Sequence, residues 1–249
     1  MRDVDRDFDL GPGQAGKSAG PVKLHALARV SLKLSHGEFV FLTGPSGAGK
    51  STLLRIIMGL DNPSSGEVIT LGKNLNQMSE TKRRQLRQEI GLVFQDHKLL
   101  PTLNVFENVE LPLSFRGLAT KERNRRVEEM LEVVQMKDHM FSPVHVLSAG
   151  ERQRIAIARA LVTCPSLIIA DEPTGNLDPK SARGLVRLLR ELKGHGTTVL
   201  IATHDMGLVR DFGGRILELV GGTLPSQRNK IAQHNAYKIP RFWRTAEKS

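Results

Sequence analysis

The sequence has little cysteine, few aromatic residues and no long apolar segment. Cys164 is the only cysteine among 249 residues, so no disulfide can form within the chain and a reducing compartment is expected. No stretch approaches the roughly 20 apolar residues that a transmembrane helix requires, and the acidic N-terminal residues lack the apolar core of a signal peptide. Aromatic residues make up 4% of the chain, and the other hydrophobic residues are mainly Leu, Val, Ile and Ala, which suits an α/β protein. We therefore expect a cytoplasmic chain that does not itself cross a membrane.

The positive charge is concentrated near the C-terminus. A net charge of +10 would by itself suggest a nucleic-acid partner. Residues 223–249 hold six Lys or Arg residues and one Glu, so half of this charge lies in a short tail. Because Tyr237, Phe242 and Trp243 lie among these basic residues, the tail suits either an anionic membrane surface or a solvated, unstructured segment. We expect no specific nucleic-acid partner.

Two segments match the phosphate-loop pattern G-x-x-x-x-G-K-[ST], GPGQAGKS at residues 11–18 and GPSGAGKS at residues 44–51. The pattern binds phosphate only between a strand and a helix N-terminus, where glycine N–H groups surround the anion. The second segment follows the apolar run FVFL and precedes apolar residues at helical spacing, whereas the first follows RDVDRDFD and is soon ended by Gly-Pro. We therefore interpret the first segment as a chance match.

The second segment predicts a nucleotide site. Lys50 supplies a cation for the phosphates, and the Ser51 hydroxyl is a predicted ligand for Mg²⁺. The predicted phosphate contacts are Gly44, Pro45, Ser46, Gly47, Ala48, Gly49, Lys50, Ser51 and Thr52.

An acidic pair follows another apolar strand. The segment LIIADEPTGNLD places Asp171 and Glu172 at the carboxyl end of a predicted strand at 167–170. Ligands bind at that edge of open α/β sheets. Asp171 is therefore a predicted Mg²⁺ ligand, and Glu172 a predicted general base for attack of water on a γ-phosphate. The structural alternative is a pair of solvated carboxylates that open a turn.

The segment LSAGERQRIAIARAL predicts a helix whose N-terminus faces outward. Ser148 and Glu151 have the spacing of a capping box, which begins a helix. The N–H groups at such a terminus attract an anion, and Ala149 and Gly150 leave the backbone open to a phosphate. Taken alone, the capping box is more often purely structural.

Four segments in this order and spacing, GPSGAGKST, LSAGERQR, LIIADEPTGNLD and THD, resemble the ATP-binding-cassette (ABC) ATPases over about residues 24–224. The resemblance implies an α/β P-loop NTPase cassette with a RecA-like parallel-sheet core, an antiparallel β subdomain and a helical subdomain at about residues 96–163. It also implies binding and hydrolysis of ATP with Mg²⁺. Around a nucleotide-binding domain at 23–224, we expect residues 1–22 to be poorly ordered and residues 225–249 to form the basic tail.

The resemblance also implies roles by position. In ABC proteins the helix that begins in the segment LSAGERQR is called the signature helix. Two cassettes face head to tail, so the signature helix of one contacts the γ-phosphate that the other holds. An ATP-dependent homodimer is therefore expected. Gln95 is implied to touch Mg²⁺ and the attacking water, and His204 to contact the γ-phosphate. The residues implied to act across the dimer are Ser148, Ala149, Gly150, Glu151 and Asp178.

Two features depart from the family pattern. The signature usually reads LSGGQ, so Ala149 replaces a glycine and Glu151 a glutamine, although the backbone N–H donors are retained. ABC proteins also stack adenine on an aromatic residue about where this chain has residues 20–23, which contain none. Phe8 is the only aromatic residue before Phe39, and no first strand is evident there.

Two further segments, DEPTGNLD and VFQDHKLLPTLNVFENVELPL, resemble the small cassettes that serve lipoprotein release, macrolide-type export and cell division, and FQDHKLL is most similar to the cell-division members. Such ATPases work beneath an integral membrane protein, which implies a location on the inner face of the cell membrane. The partner is expected to dock at residues 96–107, which begin with Asp96 and end with Glu107. The alternative is that its apolar residues pack the helical subdomain; they are Leu99, Leu100, Leu103 and Phe106.

Proteins of other classes fit less well. Soluble ABC proteins of DNA repair or translation usually carry two cassettes, or long heptads with a zinc hook, whereas this chain has one signature, one cysteine and no heptad run. A GTPase would need an Asp close after Asn229 and Lys230 to bind guanine. A structural nucleotide-binding module without turnover is the last alternative, and an ATPase assay separates it.

Overall fold

A computed structural model describes residues 1–12, 21–94, 96–230 and 242–243. Gln95 and most of the chance match at 11–18 lie outside these ranges. The strands are β1 (Arg2–Pro12), β2 (Pro21–Val30), β3 (Phe39–Thr43), β4 (Ser65–Glu67), β5 (Ile69–Thr70), β6 (Lys73–Asn74), β7 (Ile90–Val93), β8 (Leu167–Asp171), β9 (Thr198–Ala202), β10 (Gly214–Val220) and β11 (Thr223–Lys230). The α-helices are α1 (Lys50–Ile57), α2 (Glu80–Arg87), α3 (Val105–Ser114), α4 (Thr120–Val133), α5 (Ala149–Leu161), α6 (Pro179–Lys193) and α7 (Met206–Phe212).

The main sheet has six strands in the order β11-β10-β3-β9-β8-β7. Its strands run parallel except β11, which pairs antiparallel with β10 at one edge. Short apolar runs of the sequence at 39–43, 90–94, 167–170, 198–202 and 215–219 predict strands, and all five lie in this sheet. Because β3, β7, β8 and β9 are parallel, the residues that follow them meet at one edge. This edge carries the candidate site.

Apolar residues fill both faces of the main sheet. Phe39 and Phe41 belong to one hydrophobic cluster, whereas Val40 and Leu42 belong to another, because successive side chains of a strand point to opposite faces. The first cluster includes residues of α3, α4, α5 and α6. The second includes residues of α1 and of the strands β1 and β2. Burial on both faces explains why these strands read as continuous apolar runs.

Residues 2–12 form a strand, within the segment 1–22 for which the sequence predicted poor order. Residues 2–12 form β1, which pairs antiparallel with β2 and with β4 in a three-stranded sheet. Val4 is fully buried, and the Asp5 carboxylate accepts hydrogen bonds from the Ser65 hydroxyl at 2.6 Å and from the Arg29 N–H at 2.8 Å. The density of charged residues suggested poor order. In the structure, neighbouring strands supply hydrogen-bond donors to acidic side chains such as Asp5.

The helical subdomain is built mainly from α3, α4 and the start of α5. The Asn104 side chain and Glu107 form a capping box at the start of α3. Leu99 and Phe106 pack partly buried against the core, as the structural alternative for this segment expected, whereas Leu100 keeps 41% of its surface exposed. Within the described ranges, no helix is both long and apolar enough to cross a bilayer.

Two aromatic residues of the basic tail are buried, which corrects the interpretation of the tail as solvated or membrane-bound at these positions. Phe242 and Trp243 are each 2% exposed and belong to the core cluster that contains the helical subdomain. The Phe242 N–H donates to the Glu129 carboxylate at 3.4 Å, and the Arg126 guanidinium lies 5.5 Å from the centre of the Phe242 ring. Tyr237 lies outside the described residues. Burial in the chain's own core removes these two rings from contact with headgroups.

Candidate nucleotide-binding and hydrolysis site

The segment 44–51 forms the strand-to-helix turn that the phosphate-loop pattern predicted, between β3 and α1. Gly44 and Gly49 have φ angles of 144° and 99°. A Cβ on Gly44 would lie 2.2 Å from the Leu219 carbonyl oxygen, and one on Gly49 would lie 2.5 Å from that of Ala26, so both positions require glycine. The Gly49 cap has no side-chain hydrogen bond to the first turn of α1. The backbone N–H groups at the start of α1 are therefore available to an anion.

The Lys50 ammonium lies over this loop. It donates to the carbonyl oxygens of Gly44 at 2.8 Å and Pro45 at 3.0 Å. A cation at this place is suited to phosphate oxygens held by the loop.

The donors beside the loop fit a magnesium ion. The Ser51 hydroxyl lies beside the Asp171 carboxylate at the end of β8, and both side chains line the same cavity. Burial raises the pKa of Asp171 above its ordinary value. The Ser51 hydroxyl and Lys50 oppose this shift, and nearby Glu172 adds to it. Hydroxyl and carboxylate oxygens are hard ligands that Mg²⁺ combines with phosphate oxygens and water. Among the described residues no group of three His, Cys, Asp or Glu side chains could hold a metal, so any ion here depends on such additional ligands.

Glu172 lies next to His204 at the same edge. The His204 Nδ1 is 2.8 Å from the Glu172 Oε1, and the Glu172 N–H donates to the Ala202 carbonyl at 3.0 Å, which ties β8 to β9. The Glu172 side chain is 13% exposed, whereas that of His204 is 75% exposed. Glu172 has a φ angle of 48°, in the left-handed region of backbone conformation. Non-glycine residues held in this region cluster at functional sites.

A cavity of about 570 Å³ opens beside Ser51 and Asp171. Phe94 and Asp96, which flank Gln95, both line it. Asn176, from the loop after Glu172, closes another side. Sequence reasoning missed Asn176, because an Asn in a turn carries no signal without the spatial neighbours.

The signature segment begins α5 as predicted. The Ser148 hydroxyl accepts from the Glu151 N–H at 3.3 Å, while the Glu151 carboxylate accepts from the Ser148 N–H at 2.8 Å and from its hydroxyl at 2.7 Å. The Ser148 hydroxyl and N–H hold the pKa of Glu151 below its ordinary value. Ala149 is the first residue of the helix, and Gly150 lies close to the loop at Asn176.

Asp178 has a structural partner in the chain itself. It caps α6, where its carboxylate accepts from the N–H groups of Lys180 at 3.0 Å and Ser181 at 3.1 Å, and the hydrogen bonds from Ser181 lower its pKa. Its expected role across a dimer stays a prediction.

The aromatic residue of the N-terminal hairpin is Phe8. It pairs with Leu24 on β2, and the Arg6 guanidinium lies 4.4 Å from the centre of its ring. The same strand β2 contacts the phosphate loop, since the Ala26 carbonyl lies against Gly49. The sequence did not reveal this placement, because β1 was not recognised.

Comparisons with known proteins identify the family of this chain. The family model described as ABC transporter matches residues 27–175. FtsE, the cell division ATP-binding protein of Mycobacterium tuberculosis, is 44% identical over 199 residues, which cover 80% of this chain and 86% of that protein. An uncharacterised ABC transporter ATP-binding protein of Thermotoga maritima is 44% identical over 206 residues, which cover 82% and 88%. The chain thus belongs to the ABC transporter ATPases.

Solved structures support the same assignment. A dimeric cassette, MJ0796, bound to ADP and Pi superposes with a TM-score of 0.83 at 37% identity, over 92% of this chain and 97% of that one. CbiO1 from Clostridium perfringens superposes with a TM-score of 0.75 at 31% identity, over 92% and 86%. The predicted ABC cassette fold is confirmed, and the chain is an ATPase of the transporter type that binds and hydrolyses ATP.

Proposed function

We propose that this ATPase is a subunit of FtsE type that couples ATP hydrolysis to an FtsX-type integral membrane partner in cell division. The observation that carries the proposal is the similarity to proteins named FtsE from three organisms, M. tuberculosis, Escherichia coli and Bacillus subtilis, at 41–44% identity. The segment FQDHKLL supports it. The alternatives are a transporter ATPase of LolD or MacB type and, in another class, a non-transport or DNA-repair-type ABC protein.

We assign the steps of hydrolysis to individual side chains as follows from their expected roles. Glu172 accepts the proton of the attacking water, and the contact with His204 holds its carboxylate in orientation. Lys50 offsets phosphate charge, while the exposed His204 ring contacts the γ-phosphate. Ser51, Asp171 and Gln95 would hold Mg²⁺, which supplies positive charge to the phosphates.

A head-to-tail homodimer completes the proposed site. MJ0796 is a dimeric cassette in the solved structures. The N-terminus of α5 would meet the nucleotide of the second copy, through the N–H groups near Ser148, Ala149 and Gly150 and the side chain of Glu151. Phe8 is the aromatic residue proposed to stack on adenine, since β2 brings the hairpin to the phosphate loop.

The proposed docking surface for the membrane partner lies beside residues 96–107. Leu100 is exposed within this segment. A neighbouring groove of about 350 Å³ lies between β7 and α3, and its lining includes Phe94, next to Gln95, and Phe115, which is 69% exposed. A partner in this groove would contact the residues that flank the nucleotide site, so hydrolysis and partner movement can be coupled.

Photocrosslinking in cells tests the partner. A photoreactive residue at Leu100 or Phe115 is expected to trap one integral membrane protein, whereas the matched control at Val220, 45% exposed on β10, is not. A four-helix FtsX-type protein in the crosslink supports the proposal. A transporter permease would favour the LolD or MacB alternative, and no membrane protein from either position would contradict both.

A further inference from the structure

The loop after Gln95 has an unusual backbone that contacts of α5 hold in place. His97 and Lys98 are consecutive non-glycine residues with φ angles of 60° and 50°. Such a conformation persists where surrounding contacts enforce it. Here the Arg159 guanidinium, from α5, donates to the His97 carbonyl at 2.8 Å and to the Lys98 carbonyl at 2.7 Å. The loop is therefore fixed to the signature helix.

The His97 ring lies where three parts of the site meet. Its Nε2 is 3.4 Å from the Asn176 Nδ2, in the loop between Glu172 and α6. The Asn176 carbonyl oxygen lies 3.5 Å from where a Cβ on Gly150 would be, so this loop packs directly on the signature turn. The side chain of Gln153 in α5 also lies next to the ring.

Gln153 is a buried amide for which the described residues supply no hydrogen-bond partner. It is 1% exposed, and neither polar atom of its side chain has a hydrogen-bond partner in the described part of the chain. The His97 ring is near enough to interact with Gln153, but no atom pair between them has hydrogen-bond geometry. A buried polar group without a partner costs free energy, which is recovered when a small movement supplies one.

We propose that His97 is a positioning residue for ATP hydrolysis. It transmits the position of the loop after Gln95 to α5 through Gln153, and to the signature turn at Gly150 through Asn176. With the loop backbone held by Arg159, a small reorientation of the His97 and Gln153 side chains gives the Gln153 amide a hydrogen-bond partner, so this contact holds the loop in position against α5. This inference rests on the proposed role of the α5 N-terminus at the nucleotide of a second copy.

Substitutions at His97 separate the side chain from the backbone. His97→Ala removes the ring, and His97→Gly removes it while favouring the left-handed backbone. His97→Asn keeps a donor and an acceptor and tolerates that backbone. His145→Ala is the matched control, because His145 is an exposed histidine of the same subdomain.

Steady-state ATPase assays of the full-length variants, with fluorescent-nucleotide titrations, provide the test. For His97→Ala and His97→Gly we expect kcat to fall about tenfold, as for loss of one or two hydrogen bonds, with nucleotide affinity changed less than about twofold. His97→Asn should lie between these variants and wild type, and His145→Ala should match wild type. Combining His97→Ala with Gln153→Leu should add less loss of kcat than the product of the single effects.

Three results would overturn the inference. The first is an unchanged kcat in His97→Ala. The second is full turnover in His97→Gly, which would mean that backbone strain alone explains the effect of His97→Ala. The third is independent effects of the two substitutions in the double variant. The dependence of wild-type activity on protein concentration distinguishes failure of this inference from failure of the proposed dimer. If wild-type activity per molecule does not rise with protein concentration, the dimer is contradicted, whereas the relation between His97 and Gln153 is still measured within one chain.

Discussion

The carboxylate of Glu172 shows how strongly this protein depends on the orientation of single side chains. Its backbone is in the left-handed region, its N–H is tied to Ala202, and its carboxylate meets His204 at 2.8 Å. Both contacts come from the end of β9 and the residues just after it, so the pairing of β8 with β9 fixes where the carboxylate points. The same edge of the sheet places Ser51 against Asp171.

Glu172→Gln tests the proposed base. The amide has the same size but cannot accept a proton, so turnover should fall by about 10²–10⁴-fold while ATP still binds. ATPase rates and nucleotide titrations measure the two effects separately. The matched control, Glu128→Gln on the exposed face of α4, should leave both unchanged. Near-normal turnover of Glu172→Gln would refute the assignment.

At the scale of elements, α5 begins with a capping box in which Glu151 replaces the glutamine usual in this family. The Glu151 carboxylate accepts hydrogen bonds from both the N–H and the hydroxyl of Ser148. A negative charge at a helix N-terminus also interacts favourably with the helix dipole. The element therefore gains stability from the ionised form of this side chain.

Glu151→Gln should make this contribution visible as a dependence on pH. The pKa of Glu151 in the folded protein lies below its ordinary value of 4.5, so its extra stabilisation is present above that pH and is lost as the pH falls through the folded pKa. At neutral pH the variant should be less stable by about 0.5 kcal/mol, and the difference should vanish in acid. Denaturant unfolding of both proteins across pH measures it. A difference that is constant with pH would show that charge is not the cause.

For the whole molecule, the C-terminal segment connects regions that are distant in sequence. β11 ends at Lys230 on the edge of the main sheet, and twelve residues later Phe242 contacts α4 of the helical subdomain. The two aromatic side chains are as buried as residues of the central strands. The segment therefore contributes to stability as well as to charge.

Trp243→Ala measures that contribution. Removing a buried Trp side chain should lower the free energy of unfolding by about 3–5 kcal/mol, because a cavity replaces its contacts. Phe141→Ala, at a position 72% exposed, is the control and should cost less than about 1 kcal/mol. Thermal and denaturant unfolding of the full chains would show the difference. Equal stability of wild type and Trp243→Ala would contradict the observed burial.

Sequence patterns predicted most strands of the main sheet, the phosphate loop after β3 and the acidic pair at the end of β8. The strands at 39–43 and 198–202 were predicted within their observed bounds, because strands buried on both faces are apolar throughout. The prediction failed for β1, whose strand alternates charged residues with Val4 and Phe8. It also failed for Phe242 and Trp243, because the basic residues near them suggested contact with solvent or with a membrane surface instead of burial in the core.

The sequence alone determined the phosphate loop, the acidic pair and the helix cap of α5, because each depends on residues that are close along the chain. Only the tertiary structure decided that Glu172 meets His204, that Asn176 lies between His97 and Gly150, and that Gln153 has no hydrogen-bond partner among the residues described. The physical reason is that hydrogen bonds and burial between distant segments depend on how strands pair and helices pack. Local spacing carries no record of those distances.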